Sequence, residues 1–232
     1  MRAVHAAVLC GLLACAGENA PDAEPGRREA PAGEKRDPVV LFFGTSLTAG
    51  LGLEPEESYP ALIQQKIDSA GLPFRAVNAG VSGETSAAGL RRIDWLLTQP
   101  IAVLVLELGA NDALRGQDLA ATKRNLQAII DRTRAMHPEA RIVIAGMQAP
   151  PNLGSRYTRE FRRLFVDLAR ENDAVLIPFL LAGVAGDPAL NQGDGIHPNA
   201  AGARVMAENV WRALAPVVRA IAAGAARPAA RP

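Results

Sequence analysis

The sequence predicts an α/β fold, a parallel sheet with helices on both faces, and three observations carry that expectation. Short apolar runs alternate along the chain with segments whose apolar residues recur at helical spacing. The first and third runs are almost unbroken rather than alternating in polarity, as strands covered on both faces must be. Aromatics make up only 4% of residues while glycines number 21, which suits many tight turns better than an all-β sandwich. In sheets of this kind ligands bind outside the carboxyl ends of the strands.

The first strand is read at Val39-Val40-Leu41-Phe42-Phe43, and it stops abruptly at Gly44-Thr45-Ser46-Leu47-Thr48-Ala49-Gly50. That small, hydroxyl-bearing segment has two readings. It delivers Ser46 to the carboxyl end of a central strand, or it is an ordinary turn in which Ser46 or Thr48 caps a helix. Pro60, with Ala61, Leu62, Ile63 and Ile67 at helical spacing, predicts a helix over 60–71 that stops at Gly71. A second strand over 74–77 leads into Asn78-Ala79-Gly80-Val81-Ser82-Gly83-Glu84-Thr85-Ser86, whose cap-type residues precede a helix over 87–97. The run over 101–108 is the strongest strand and enters Gly109-Ala110-Asn111-Asp112. Glu107 interrupts it, and an unpaired carboxylate inside would be costly, so it is expected to face the strand end or pair with a neighbour. A helix over 119–136, a fourth strand over 141–147, a loop over 148–155, a helix over 157–171 and a fifth strand over 174–177 follow. The last helix is expected to start at Pro198, a residue suited to a first helical position, and to run to about 220.

The 232 residues, 49% of them hydrophobic and carrying a net charge of +1, describe a soluble globular chain, and the folded domain is placed at 38–221. No basic run with interleaved aromatics is present, so no nucleic-acid partner is expected. Arg2 precedes an apolar stretch over 3–14, too short for a mature membrane span, and 1–15 is read as a signal segment. Leu12-Leu13-Ala14-Cys15 resembles a bacterial lipoprotein processing box, which would lipidate Cys15 and tether the protein to a membrane. Ordinary cleavage, for instance after Ala20, would give a soluble periplasmic or secreted protein, and a cytoplasmic chain is a third reading. Both cysteines, Cys10 and Cys15, fall in this segment, so the domain has no thiol or disulfide chemistry. The residues over 16–37 and over 222–232 lack large apolar side chains and are expected to be a disordered tether and tail.

Ser46, Gly80 and Asn111 each follow a predicted strand, which an accidental turn does not explain. Serine hydrolysis needs a nucleophile, a base, a group that orients the base, and donors for the oxyanion. Of the three histidines, His5 lies in the signal segment and His137 in a surface-type His-Pro turn, which leaves His197. Asp194, three residues earlier in Asn191-Gln192-Gly193-Asp194-Gly195-Ile196-His197-Pro198, can fold back onto the imidazole. Such an Asp-x-x-His turn also occurs without function, and a metal is not expected because no second histidine or cysteine stands at ligand spacing. The oxyanion donors are expected to be the backbone N–H groups of Ser46 and Gly80 and the side-chain amide of Asn111, whereas Asp112 is read as a structural cap.

Four blocks carry a resemblance: Gly44-Thr45-Ser46-Leu47, Asn78-Ala79-Gly80 with Ser82-Gly83-Glu84-Thr85, Gly109-Ala110-Asn111-Asp112, and Asp194-Gly195-Ile196-His197-Pro198. In order and approximate spacing, over 39–217, the chain resembles the SGNH (GDSL-type) hydrolases. It is similar in particular to their bacterial branch of acyl-CoA thioesterase I/protease I/lysophospholipase L1 and arylesterases. The resemblance implies a three-layer α/β/α flavodoxin-like fold with a five-stranded parallel sheet in the order 2-1-3-4-5. It also implies cofactor-free hydrolysis of carboxylic esters or thioesters, with Ser46 as nucleophile, Gly80 and Asn111 as oxyanion residues, and Asp194 and His197 completing a triad. Thr45 stands where the family usually has aspartate, which bears on rate and pH dependence more than on reaction class.

Substrate choice is expected in the loops Ala113-Leu114-Arg115-Gly116 and 149–157, where Leu114, Arg115, Pro150 and Tyr157 are candidate substrate-binding residues lining an apolar acyl groove. The partner is then a small acyl ester or thioester. Two other functions remain open: a carbohydrate acetylesterase on the same fold, with Trp95 and Trp211 the only tryptophans for sugar stacking, and a catalytically silent envelope binding protein.

Overall fold

The computed structural model describes residues 37–225. The signal segment over 1–15 and almost all of the tether over 16–37 lie outside them, as does the tail from 226. The five strands are β1 (Val39–Gly44), β2 (Arg75–Gly80), β3 (Ile101–Glu107), β4 (Arg141–Ala145) and β5 (Val175–Ile177). They form one parallel sheet in the order β2-β1-β3-β4-β5. Every residue of β1 is buried, which is why its side chains show no polar alternation.

The helices are α1 (Ser46–Ala49), α2 (Tyr59–Ser69), α3 (Ser86–Leu96), α4 (Ala110–Leu114), α5 (Leu119–Met136), α6 (Ser155–Glu171) and α7 (Ala200–Ala225). Strand order reverses at β1, so right-handed crossovers send α2 to one face and α3, α5 and α6 to the other. The packing agrees, with α2 against α7 and, separately, α3 against α5 and α5 against α6. Phe161 and Phe165 of α6 meet edge to face at 5.0 Å inside the second layer.

Three differences from the sequence reading have local causes. β2 runs to Gly80 rather than ending at 77, because Asn78, Ala79 and Gly80 stay in register with Phe42, Phe43 and Gly44. The last helix begins at Ala200, not Pro198. Pro198 forms an isolated bridge with Asn191, and the Asn199 carboxamide oxygen accepts the N–H groups of Ala201 and Gly202 at 3.0 and 3.1 Å as the cap. The same helix continues past the expected end to Ala225 through an alanine-rich stretch, accommodating Pro216 within it. No helix among the described residues is long and apolar enough to cross a membrane.

The register sets the chemistry. Gly44 pairs with Gly80 on one side and with Glu107 on the other, so three strand ends lie level beside the point where strand order reverses.

Candidate active site

Ser46 is the first residue of α1, immediately after β1, so its N–H is one of the helix's orphan donors. Thr45 occupies the N-cap position, yet its side chain makes no cap hydrogen bond because its hydroxyl is turned to Glu107. Neither Ser46 nor Thr48 is therefore the cap. His197 arrives from the far end of the chain and places its Nε2 2.9 Å from Ser46 Oγ. Its Nδ1 lies 2.6 Å from Asp194 Oδ2. A carboxylate only accepts, so the Nδ1–H donates to Asp194 and the Nε2 lone pair faces the Ser46 hydroxyl. Asp194 Oδ1 meanwhile accepts the N–H groups of Ile196 and His197 at 2.9 and 3.0 Å. The hydrogen bond from the His197 side chain, followed by these two backbone donors, holds the Asp194 carboxyl well below the usual carboxylate range.

The loop over 191–198 is tied to the Ser46 side of the molecule by a residue that sequence reasoning passed over. The Gln192 amide donates to Leu51 O at 2.7 Å and to Pro198 O at 2.9 Å. It joins the segment after α1 to the segment carrying His197.

Asn111, in the first turn of α4, donates one amide hydrogen to Glu84 O at 3.1 Å, which leaves its second amide hydrogen available. Asn111 and Ser46 line one cavity with His197. Gly80 is not there. Its N–H donates to Asn78 Oδ1 at 3.0 Å, and a Cβ on it would stand 2.2 Å from Ala49 N and 2.7 Å from Ala49 Cα. Gly80 thus lies against the back of α1, still within the sheet, and the oxyanion role expected for it is withdrawn. Gly83, three residues on, lines the cavity with a φ of +77°. Among the described residues its N–H makes no hydrogen bond. Gly80→Ala is expected to cost roughly 1–3 kcal/mol of stability by overpacking, read from the urea midpoint.

The loop bearing Gly83 is held from several sides. Arg92 makes a two-point ion pair with the buried Glu84 at 2.6 and 2.5 Å, donates to Ala79 O at 2.7 Å and stacks on the Phe43 ring at 4.5 Å. Asp112 takes the Ser86 N–H at 2.8 Å and the Ser86 hydroxyl at 2.5 Å, a structural role that ties α4 to the start of α3 rather than capping its own turn as expected. Arg115 donates to Gly83 O at 3.0 Å and so steadies the loop rather than lining the cavity. Tyr157 likewise does not line the cavity, because its hydroxyl donates to Gln117 O at 3.0 Å and ties the first turn of α6 to the segment before α5. Of the four candidate substrate-binding residues only Leu114 and Pro150 face the cavity.

The cavity measures about 340 Å³, and Leu47, Leu51, Met147, Leu181 and Ile196 supply the rest of its apolar wall. Leu51, Leu114 and Ile196 are exposed at its rim. These side chains come from five separate stretches of chain, too scattered for a sequence motif to gather. Trp95 and Trp211 do not line it.

Residues 42–205 match the GDSL-like lipase/acylhydrolase family. The chain is 40% identical over 181 residues to the esterase TesA of Pseudomonas aeruginosa, covering 78% of this chain and 89% of that one. It is 37% identical over 182 residues to thioesterase 1/protease 1/lysophospholipase L1 of Escherichia coli, covering 78% and 85%. The crystal structure of the psychrotrophic esterase EstA from Pseudoalteromonas, inhibited by monoethylphosphonate, superposes with a TM-score of 0.74 at 32% identity, covering 79% of this chain and all of that one.

Proposed function

The chain belongs to the GDSL-like lipase/acylhydrolase family and is a hydrolase of carboxylic esters or thioesters, and we propose that it works through an acyl-enzyme on Ser46. The observation that supports this reading is the unbroken hydrogen-bonded line from Asp194 through His197 to Ser46, at the mouth of an apolar cavity. His197 Nε2 takes the proton of Ser46 Oγ as that oxygen attacks the acyl carbonyl. Asp194 stabilises the imidazolium that forms and keeps its ring oriented. The carbonyl oxygen, now an oxyanion, is met by the N–H groups of Ser46 and Gly83 and the free amide hydrogen of Asn111. His197 then returns its proton to the departing alcohol or thiol. Water enters, is deprotonated by the same nitrogen, and releases the acid.

The acyl chain lies along Leu47, Leu51, Leu114, Met147, Leu181 and Ile196, and the leaving group faces solvent. The substrates are therefore acyl esters or thioesters with a chain longer than acetyl. The protein acts outside the cytoplasm, either tethered through Cys15 or free. The apolar stretch behind Arg2 and the cysteine-free domain support that placement.

Hydrolysis of p-nitrophenyl esters from acetyl to palmitoyl tests the reading, together with mass spectrometry after treatment with a serine-directed phosphonate. A medium-chain optimum and an adduct on Ser46 are expected. Turnover confined to acetyl would favour a carbohydrate acetylesterase. Neither turnover nor adduct would favour a silent binding protein.

A further inference from the structure

Beneath the turn that carries Ser46 lies a buried polar cluster that the steps above do not use. Glu107, the last residue of β3, is 0% exposed. Its carboxylate accepts the Thr45 N–H at 2.8 Å, the Thr45 hydroxyl at 3.0 and 3.1 Å, and the Thr48 hydroxyl at 2.8 Å. The Tyr59 hydroxyl lies 2.8 Å from Thr48 Oγ1 and is itself buried. The packing leaves no slack, since a Cβ on Gly44 would meet Thr48 Oγ1 at 2.1 Å and Glu107 Oε2 at 2.5 Å.

Donor counting fixes the protonation state that suits this cluster. With Glu107 ionised, Tyr59 donates to Thr48, Thr48 donates to Glu107, and both Thr45 donors reach the same carboxylate. Every donor then has an acceptor. A protonated Glu107 adds an O–H that must point at a threonine oxygen, which turns a hydroxyl away from the carboxylate. Among the described residues neither the Thr45 nor the Tyr59 hydroxyl has another hydrogen-bond partner, and stranding a buried donor is costly.

We infer that Glu107 is a positioning residue for the hydrolysis: its ionised carboxylate holds the Thr45 N–H and the first turn of α1, and through them aims the Ser46 hydroxyl and N–H. The inference rests on Ser46 being the nucleophile. Thr45 directly precedes Ser46 in the chain and is hydrogen-bonded to Glu107, so a shift of its peptide moves the oxyanion donor and Oγ together. Burial pushes the Glu107 carboxyl up to about 7, against the opposing pull of its Thr45 and Thr48 donors. Tyr59 on α2 is the titratable group facing it, and burial followed by the nearby Glu107 charge pushes that phenol up, so it stays neutral. β1 and α1 contribute only the uncharged Thr45 and Thr48, and β4 alongside ends in Ala145. Loss of the Glu107 proton consequently contributes to the acid side of the rate profile.

The test compares wild type with Glu107→Gln, Thr45→Val and Thr45→Ser on a soluble activated ester from about pH 5 to 9. Glu107→Gln presents an amide N–H where only acceptors fit. Its kcat is expected to fall about tenfold with KM within about twofold, and the Glu107 contribution to the acid limb of log kcat to disappear. Thr45→Val removes one hydroxyl donor from the carboxylate and is expected to move the acid limb about half a pH unit higher, with Thr45→Ser restoring it. If Glu107→Gln does not fold, the threonine pair decides. A kcat for Glu107→Gln within about twofold of wild type, or a Thr45→Val limb superimposable on wild type, overturns the inference. Phosphonate labelling is read in parallel. A labelled Ser46 with an unmoved profile overturns this inference alone, whereas an unlabelled Ser46 overturns the nucleophile assignment and this inference with it.

Discussion

Ser46→Ala is expected to lower kcat/KM for an activated ester by at least about 10⁴-fold while leaving the circular dichroism spectrum and the urea midpoint in place. The size follows from the geometry. Ser46 Oγ is the hydroxyl within hydrogen-bond distance of His197 Nε2, 2.9 Å away. Removing it leaves the base with nothing to deprotonate except water. Stability should hold because Ser46 is only half-buried and its hydroxyl bonds to His197 alone among the described residues. Residual hydrolysis would come from the oxyanion donors and His197 acting on water. A variant keeping more than about a tenth of wild-type activity would show that another group attacks the acyl carbon.

Asn111→Ala is expected to cost about 10²–10³-fold in kcat with a much smaller change in KM, because an oxyanion donor acts on charge that appears only in the transition state. The way the amide is held supports that expectation. One hydrogen goes to Glu84 O at 3.1 Å, which orients the plane of the carboxamide and directs the other into the cavity beside Ser46. Asn111→Asp is the sharper companion, since it keeps the shape and places a negative charge where an oxyanion must form. It should be at least as impaired. A raised KM with kcat unchanged for Asn111→Ala would instead mark it as a ground-state contact.

Much of this site was legible because its chemistry is clustered in short stretches. Ser46, Asn111 and the pair Asp194 and His197 each sit in a block that announces a turn, and the order of strands and helices located the first two at strand ends. Gly80 was misplaced for a specific reason. The segment over 78–86 holds two glycines, and the choice between them depends on where β2 leaves the sheet. Gly80 is still paired with Gly44, and Gly83 is the one that has left the ladder, a fact fixed by register rather than by residue type. The positive φ of Gly83 is what distinguishes it, and φ is invisible in a sequence. Glu107 was conspicuous inside its apolar run, yet its partners Thr45, Thr48 and Tyr59 come from β1's end, α1 and α2. Arg115 and Tyr157 had the right segments and the wrong direction, because each found a backbone carbonyl to bind away from the cavity. The apolar wall was out of reach for the same reason that any wall built from separate stretches of chain is.

The loop over 191–198 carries both the base and the carboxylate that orients it, and they hold one another through bonds wholly inside the loop. Outside it, the hydrogen bonds to the Ser46 side, among the described residues, are the Ser46 bond and the Gln192 amide on Leu51 O. His197 and Asp194 therefore form a preassembled cassette, closed at its base by the Asn191–Pro198 bridge. Warming should undock that cassette before the sheet melts, so activity fades reversibly below the unfolding transition, and exchange of the loop with solvent marks the weakest local free energy in the site.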